Sequence, residues 1–376
     1  MRINGILVLK RRYKLTDYHP ILSRLKIKSN MDITEKRIPQ DGKMNIIVDN
    51  IKYNLRLSTI PIIAGEKIVI RILYEDKYLS SLENLNFQEK QLKNLRKIMK
   101  IKHGLILING PTGVGKSTTL YSILNSIKDE DINITTLEDP IEINLNGINQ
   151  ISLNPKIGIT FASGLRSILR QDPDVIMVGE IRDEETAKMA VRAAITGHKV
   201  YSTIHTKNPR EVYSRLEEMG VQPYLIKDSL IGIISQRLIK VLCDNCKIKI
   251  KTIKKDGHKI NLYKKGSCKC CNETGYIGRR LVASVNYVNG EIIRESNSIK
   301  DRKDLLNNDE MIEVLLELLE EELIDYYDFL EFIEGEELLE ANIQKFRDYL
   351  WWFRYFIWRW YKLTPGNKVI TRSWNR

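Results

Sequence analysis

The chain has 376 residues, 43% of them hydrophobic, which is enough for two or three domains and rules out a disordered polymer. The net charge of +12 admits nucleic acid or an acidic membrane surface as partners, although lysine is spread along the whole chain. No apolar run approaches the ~20 residues that a bilayer-spanning helix needs, and Met1-Arg2-Ile3-Asn4 does not open a signal peptide, so a cytoplasmic protein is expected.

In chain order, residues 44–49 and 52–57 predict two strands turned at Asp49-Asn50, and 67–73 a third. Residues 82–102 carry apolar side chains at helical spacing and predict a connecting helix. From residue 104 the pattern alternates. Apolar runs at 104–109, 133–138, 174–179 and 199–204 predict strands. Helical periods follow Lys116 and fill 161–170, 183–195 and 209–219. Such alternation implies βαβ units and a parallel sheet covered on both faces. Residues 309–340 are acidic and helical in period, and 349–362 are dense in aromatics.

Gly110-Pro111-Thr112-Gly113-Val114-Gly115-Lys116-Ser117 fits the phosphate-loop pattern, with Thr118 next, between a predicted strand and a predicted helix. Glycines there let backbone N–H groups turn toward phosphate oxygens. Lys116 would reach the β- and γ-phosphates of ATP, and Ser117 would ligate Mg²⁺. Glu138 and Glu180 each follow an apolar strand. Ligands of open parallel sheets sit at the carboxyl ends of strands, so both glutamates are candidates to orient water or hold Mg²⁺; the other reading is a helix cap. His198 and His205 flank the strand at 199–204, as γ-phosphate sensors, as partners of a carboxylate or as ordinary surface residues. All five cysteines lie between Cys243 and Cys271. Cys243/Cys246 and Cys268/Cys271 form two C-x-x-C knuckles, which fit a closed, structural Zn²⁺ site and leave Cys270 spare.

Several boxes together resemble the secretion ATPase superfamily of type II secretion, type IV pilus assembly and competence systems. They are DITEKRIPQDGK at 32–43, RLSTIP and GEKIVIRIL within 56–73, GPTGVGKSTTLY from 110, TLEDPIE at 136–142, LRQDPDVIMVGEIRD at 169–183, TGHKVYSTIHT at 196–206 and CNETGYIGRR at 271–280. The resemblance implies an α/β RecA-like P-loop NTPase domain, a smaller α+β PAS-like N-terminal domain and a zinc-binding insert. Domain boundaries on this reading are 1–78 for a truncated PAS-like domain, 79–103 for a linker helix and 104–242 for the ATPase core. The four-cysteine segment is 243–282, and 283–376 is a divergent tail. Residues 2–7 resemble the second strand of the family's N-terminal domain, as if the first were missing.

The resemblance further implies a homohexamer hydrolysing ATP, bound to a membrane platform protein at the inner face of the cell membrane and adding pilin or pseudopilin subunits. By carry-over, Glu180 is the general base, Glu138 supports it and His205 reads the γ-phosphate, with His198 a weaker candidate for the same task. Arg56 and Arg71 approach nucleotide across a subunit or domain boundary. Four cysteines favour an assembly motor over a retraction motor. The alternatives are a nucleic-acid translocase, supported only by charge, and a nucleotide-binding scaffold without turnover.

Overall fold

The computed structural model describes residues 1–73, 81–255, 258–288 and 309–335. The aromatic segment at 349–362 and residues 74–80 lie outside them. Two compact units are present: Met1–Leu238 with Leu281–Glu310, and Ile239–Arg280 with the described residues from Met311 on.

The N-terminal part of the first unit begins with a minimal hairpin, β1 (Arg2–Ile3) and β2 (Ile6–Leu7). Residues 2–7 are therefore not one strand of the N-terminal sheet, as their resemblance suggested. Asn4 and Gly5 both take positive φ (49° and 87°), which reverses the chain after two residues. Helix α1 (Leu15–Lys28) follows, with Pro20 inside it. Strands β3 (Gln40–Val48), β4 (Ile51–Ile62) and β5 (Gly65–Leu73) form an antiparallel sheet in that order. The β3–β4 turn is Asp49-Asn50, both at positive φ, as the sequence predicted. Met31, Leu55 and Leu57 form a small core, and Lys26 of α1 meets Glu66 of β5 at 2.6 Å in a buried ion pair.

Residues 82–102 are not one helix. A 3₁₀ turn (Leu82–Leu85) ends at Asn86, whose φ of 60° breaks the helical path, and α2 (Glu89–Lys100) starts afresh. The remainder of this unit is built on a sheet that includes β6 (Gly104–Asn109), β7 (Ile134–Glu138), β8 (Asn149–Ser152) and β9 (Val175–Val178). Strands β10 (Lys199–Ile204), β11 (Leu230–Leu242) and β14 (Tyr276–Tyr287) complete it. The order is β14-β11-β6-β10-β9-β7-β8, a RecA-like arrangement. Every pairing from β11 through β8 is parallel. Helices α3 (Lys116–Ile127), α4 (Phe161–Ile168), α5 (Glu184–Ile195), α6 (Pro209–Glu218) and α7 (Pro223–Ser229) connect the strands. All residues of β6, β7, β9 and β10 are buried; β6 and β9 read as near-continuous apolar runs, whereas β7 and β10 also bury Thr135, Thr136, Glu138, Lys199, Ser202 and Thr203. Two apolar clusters make the core. One contains Leu105, Leu107, Ile176 and Val178; the other contains Ile106, Ile108, Val175 and Met177. The alternation of neighbours between clusters is the period-2 geometry of a two-faced sheet.

The second unit holds a hairpin, β12 (Ile248–Lys255) with β13 (His258–Lys264), between the cysteine knuckles. The acidic stretch predicted as one helix is two, α8 (Asp309–Glu320) and α9 (Tyr326–Gly335), parted at Glu322 with φ 60°. Their apolar residues are buried: Leu315, Leu318, Leu319, Phe329 and Ile333. Polar ties add to this. Leu242 N–H donates to the Leu323 carbonyl, Lys265 N–H donates to Asp325 Oδ2 at 2.6 Å, and Lys240 pairs with Asp328 at 3.0 Å. Strand β14 also runs through residue 282, where the four-cysteine segment was expected to end.

Truncating fully buried Phe329 to Ala should therefore cost about 3–5 kcal/mol. Hydrogen exchange should speed up in β12 and β13 while β6 and β10 stay protected. Uniform loss of protection would show that α9 does not belong to the cysteine-bearing unit.

Candidate functional site

Strand β6 ends at Asn109, and the phosphate loop turns from Gly110 into α3. Gly110, Gly113 and Gly115 all have positive φ (147°, 82° and 88°). They differ in what surrounds them. A Cβ on Gly110 would lie 2.5 Å from the Gln236 carbonyl oxygen, whereas one on Gly113 meets nothing within 4 Å. Gly110 is thus required by packing against β11 and Gly113 by backbone conformation. Gly115 precedes the first turn of α3, whose free N–H groups and positive dipole end open toward the loop. Ser117 and Thr118 lie half-buried in that first turn.

Lys116 is buried, and its ammonium donates to the carbonyls of Gly110 (2.7 Å) and Pro111 (2.9 Å). Burial, with the nearby Arg237 charge adding and Glu180 opposing, pushes its pKa down to about 8. Glu180, at the end of β9, ion-pairs with Arg182 through Oε1, and its Oε2 lies 3.5 Å from His205 Nε2. The His205 pKa is lowered, first by burial and then by the Lys116 charge, so the imidazole is neutral at pH 7. Lys116, Glu180 and His205 therefore form one cluster at the carboxyl ends of β6, β9 and β10. Thr203 fixes it from β10: its hydroxyl donates to the Gly179 carbonyl at 2.8 Å, and its own carbonyl accepts from Ile181 N–H at 2.9 Å.

Glu138 sits on the same rim, but its carboxylate is engaged within the fold. Tyr121 of α3 donates to Oε2, while Thr136 (2.5 Å) and Gln150 (3.0 Å) donate to Oε1. The glutamate is 4% exposed and tied from three elements. His198 lies at the amino end of β10, with Nδ1 3.1 Å from the Ala193 carbonyl oxygen. A six-residue strand separates it from His205, on the order of 20 Å, so His198 does not reach the loop. Arg56 and Arg71 face one another across β4 and β5, with Lys43 opposite Arg56 on β3. They belong to the N-terminal sheet and not to the Lys116 cluster. Lys43 and Arg71 are exposed and Arg56 is half-buried, so solvent screens this row of cations.

The four knuckle cysteines come together. Their sulfurs all lie within 4.8 Å of one another, with Cys243–Cys268 at 3.7 Å, Cys246–Cys271 at 3.8 Å and Cys268–Cys271 at 3.6 Å. A tetrahedron with Zn–S bonds of ~2.3 Å has edges of ~3.8 Å, so the donor set fits a thiolate-bound Zn²⁺. Cys270 is exposed and outside the set. Sequence reasoning missed Thr203, Arg182, Tyr121, Gln236 and Arg237. The one signal for the last two is the polar Ser235-Gln236-Arg237 run inside an otherwise apolar strand.

A family model described as type II/IV secretion system protein matches residues 1–317. The chain is 44% identical over 286 residues to type II secretion system protein E of Dickeya dadantii, covering 74% of this chain and 57% of that protein. It is 42% identical over 302 residues to the type IV pilus assembly ATPase PilB of Thermus thermophilus, covering 78% of this chain and 34% of that one. It thus spans little more than half of the first relative and a third of the second. The crystal structure of the pilus retraction motor PilT with bound ADP superimposes with a TM-score of 0.59 at 26% identity, over 88% of each chain. The family match runs past residue 282 and ends at residue 317, within helix α8.

A phosphate in the loop would stabilise the Lys116 ammonium and raise its pKa above the value of about 8. At pH 7 the free lysine is already mostly charged, and binding moves little of its proton. At pH 9 it is mostly neutral, so binding ADP must take up close to one proton per site, and affinity must fall as pH rises through 8. Calorimetry in buffers of different ionisation enthalpy reads this directly. Equal uptake at pH 7 and pH 9 would contradict it.

Proposed function

The chain belongs to the type II/IV secretion system protein family, and on that premise we propose that it is an ATP-hydrolysing motor that drives pilin or pseudopilin assembly. The observation that carries this reading is the meeting of Lys116, Glu180 and neutral His205 beside the phosphate loop. ATP would lie with its phosphates over Gly110–Ser117, held by loop N–H groups and the Lys116 ammonium. Ser117, in the first turn of α3, would hold Mg²⁺, which neutralises charge on the phosphates. Glu180 orients and deprotonates the attacking water, with Arg182 and His205 fixing its two oxygens. His205, uncharged, has one N–H, and donating it to a γ-phosphate oxygen adds no second cation to the loop. Glu138 acts through the shape of the rim, because its oxygens are already engaged.

The N-terminal part of the first unit is read as PAS-like, and Arg56 and Arg71 as cations presented to nucleotide across a domain or subunit boundary in a homohexamer. A planar guanidinium meets phosphate oxygens in pairs, and such a residue is worth ~10³–10⁵ in rate. Zn²⁺ on Cys243, Cys246, Cys268 and Cys271 would be structural, since four thiolates leave no open position. The four-cysteine set also favours assembly over retraction. No described helix is long and apolar enough to cross a membrane. The cytoplasmic face of the cell membrane is the proposed location, reached through a platform protein.

Lys116→Ala should lower ATP turnover by ~10²-fold or more, with loss of nucleotide affinity. Glu180→Gln should keep affinity while kcat falls by ~10²–10⁴. Full turnover in either variant would sink the assignment. Metal analysis should find about one zinc per chain, and chelation should release protection from hydrogen exchange within residues 243–275. A metal-free preparation, kept reduced, with the same protection would remove the zinc site.

A further inference from the structure

Strand β11 lies directly against the phosphate-loop strand, with Ser235 opposite Asn109. The next two residues, Gln236 and Arg237, therefore run beside Gly110, where apolar side chains would have sufficed for a core strand. Both are buried, at 0% and 6% exposure. Gln236 grips the loop at two points. Its carbonyl packs where a Gly110 Cβ would be, and its Nε2 donates to the Val114 carbonyl at 2.9 Å. The Arg237 guanidinium lies against Gly110 as well: a Cβ there would be 3.1 Å from Nη1. That Nη1 donates to the Gln236 carbonyl at 2.9 Å, and Nη2 donates to the carbonyl of Lys207. Lys207 is two residues past His205, in the loop that leads into α6.

We propose that Arg237 is a positioning residue that straps the phosphate loop to the segment 205–208, so that His205 and Glu180 are held in register with the phosphates. The inference rests on reading the Lys116 cluster as an ATP-hydrolysing site. The strap depends on the shape of arginine. Its planar fork carries two N–H-bearing nitrogens a fixed distance apart, and here each meets a different carbonyl. A lysine has the same charge but one nitrogen, and cannot span both. The closeness of the guanidinium to Lys116 agrees with the depressing effect of its charge on that lysine. The path then runs from the loop through Arg237 to Lys207, His205 and Glu180, with His205 and Glu180 3.5 Å apart. Displacements near 1 Å at such a site can cost ~10² in rate.

The test uses the full chain and three variants: Arg237→Lys, His205→Ala and the double variant. Arg237→Lys should lower kcat by ~10–100-fold with KM within about threefold of the parent. In the double variant the Arg237→Lys effect should vanish, because it acts through His205. Full kcat in Arg237→Lys, a loss expressed mainly in KM, or additive effects in the double variant would each overturn the proposal. Hydrogen exchange on the unmodified chain gives a readout that needs no variant to fold. Adding ADP should slow exchange at residues 205–208 as well as at 110–117, and slowing confined to 110–117 would overturn the strap. An unmodified chain that binds no ADP would remove the site reading, and the proposal with it. An unmodified chain that binds and hydrolyses while the cycle is additive would remove the proposal alone.

Discussion

The candidate site depends on one constraint: β6 is buried along its whole length and paired on both sides. Its six residues meet β10 in unbroken register and β11 across a single irregularity. Backbone groups so paired leave the strand no freedom to slide, since a one-residue slip would move its apolar side chains between the two core clusters. The phosphate loop therefore begins at a fixed point. Glu180 and His205 leave the ends of strands tied into the same ladder, so their distance from Lys116 is set by sheet register and not by loop sequence. This placement separates β6 from β9 by one strand, β10, and makes room for a carboxylate and an imidazole side by side.

Electrostatics follow from that packing. A lysine buried against carbonyls, with an arginine nearby, holds its proton weakly until an anion arrives. The same lysine helps to keep His205 neutral. The Lys116 ammonium thus sits beside the Arg237 charge, with Glu180 as its nearby counter-charge, and an added anion would strengthen its hold on the proton. Glu138 illustrates the opposite case. Three donors satisfy it within the fold, so its value lies in holding α3, β7 and β8 together at the rim.

Legibility varied with burial. Strands β6 and β9 were visible as apolar runs because both faces are covered, and β7 and β10 by short β-branched stretches between helical periods. Strand β11 was not, since Ser235, Gln236 and Arg237 interrupt it to serve the phosphate loop. Strand β14 was hidden by Arg279-Arg280, and β8 by being short, polar and half-exposed. Helix α1 was obscured by Pro20, and the breaks at Asn86 and Glu322 arose from left-handed residues that apolar periodicity does not register. At the site, Lys116, Glu180 and His205 could be read from the motif and from strand ends. His198 and His205 flank the same strand, and chain direction separates them, since only His205 follows its carboxyl end. The cysteine pairing was legible from spacing alone, since two knuckles can converge in few ways.

The most direct test of the central claim is single-turnover hydrolysis of ATP by the purified chain, resolved by particle mass. A working motor releases phosphate in proportion to protein mass, concentrated in a six-subunit assembly. Stoichiometric ATP binding with no phosphate released from any fraction would contradict that claim, leaving a nucleotide-binding protein in which Lys116, Glu180 and His205 are assembled but do not turn over.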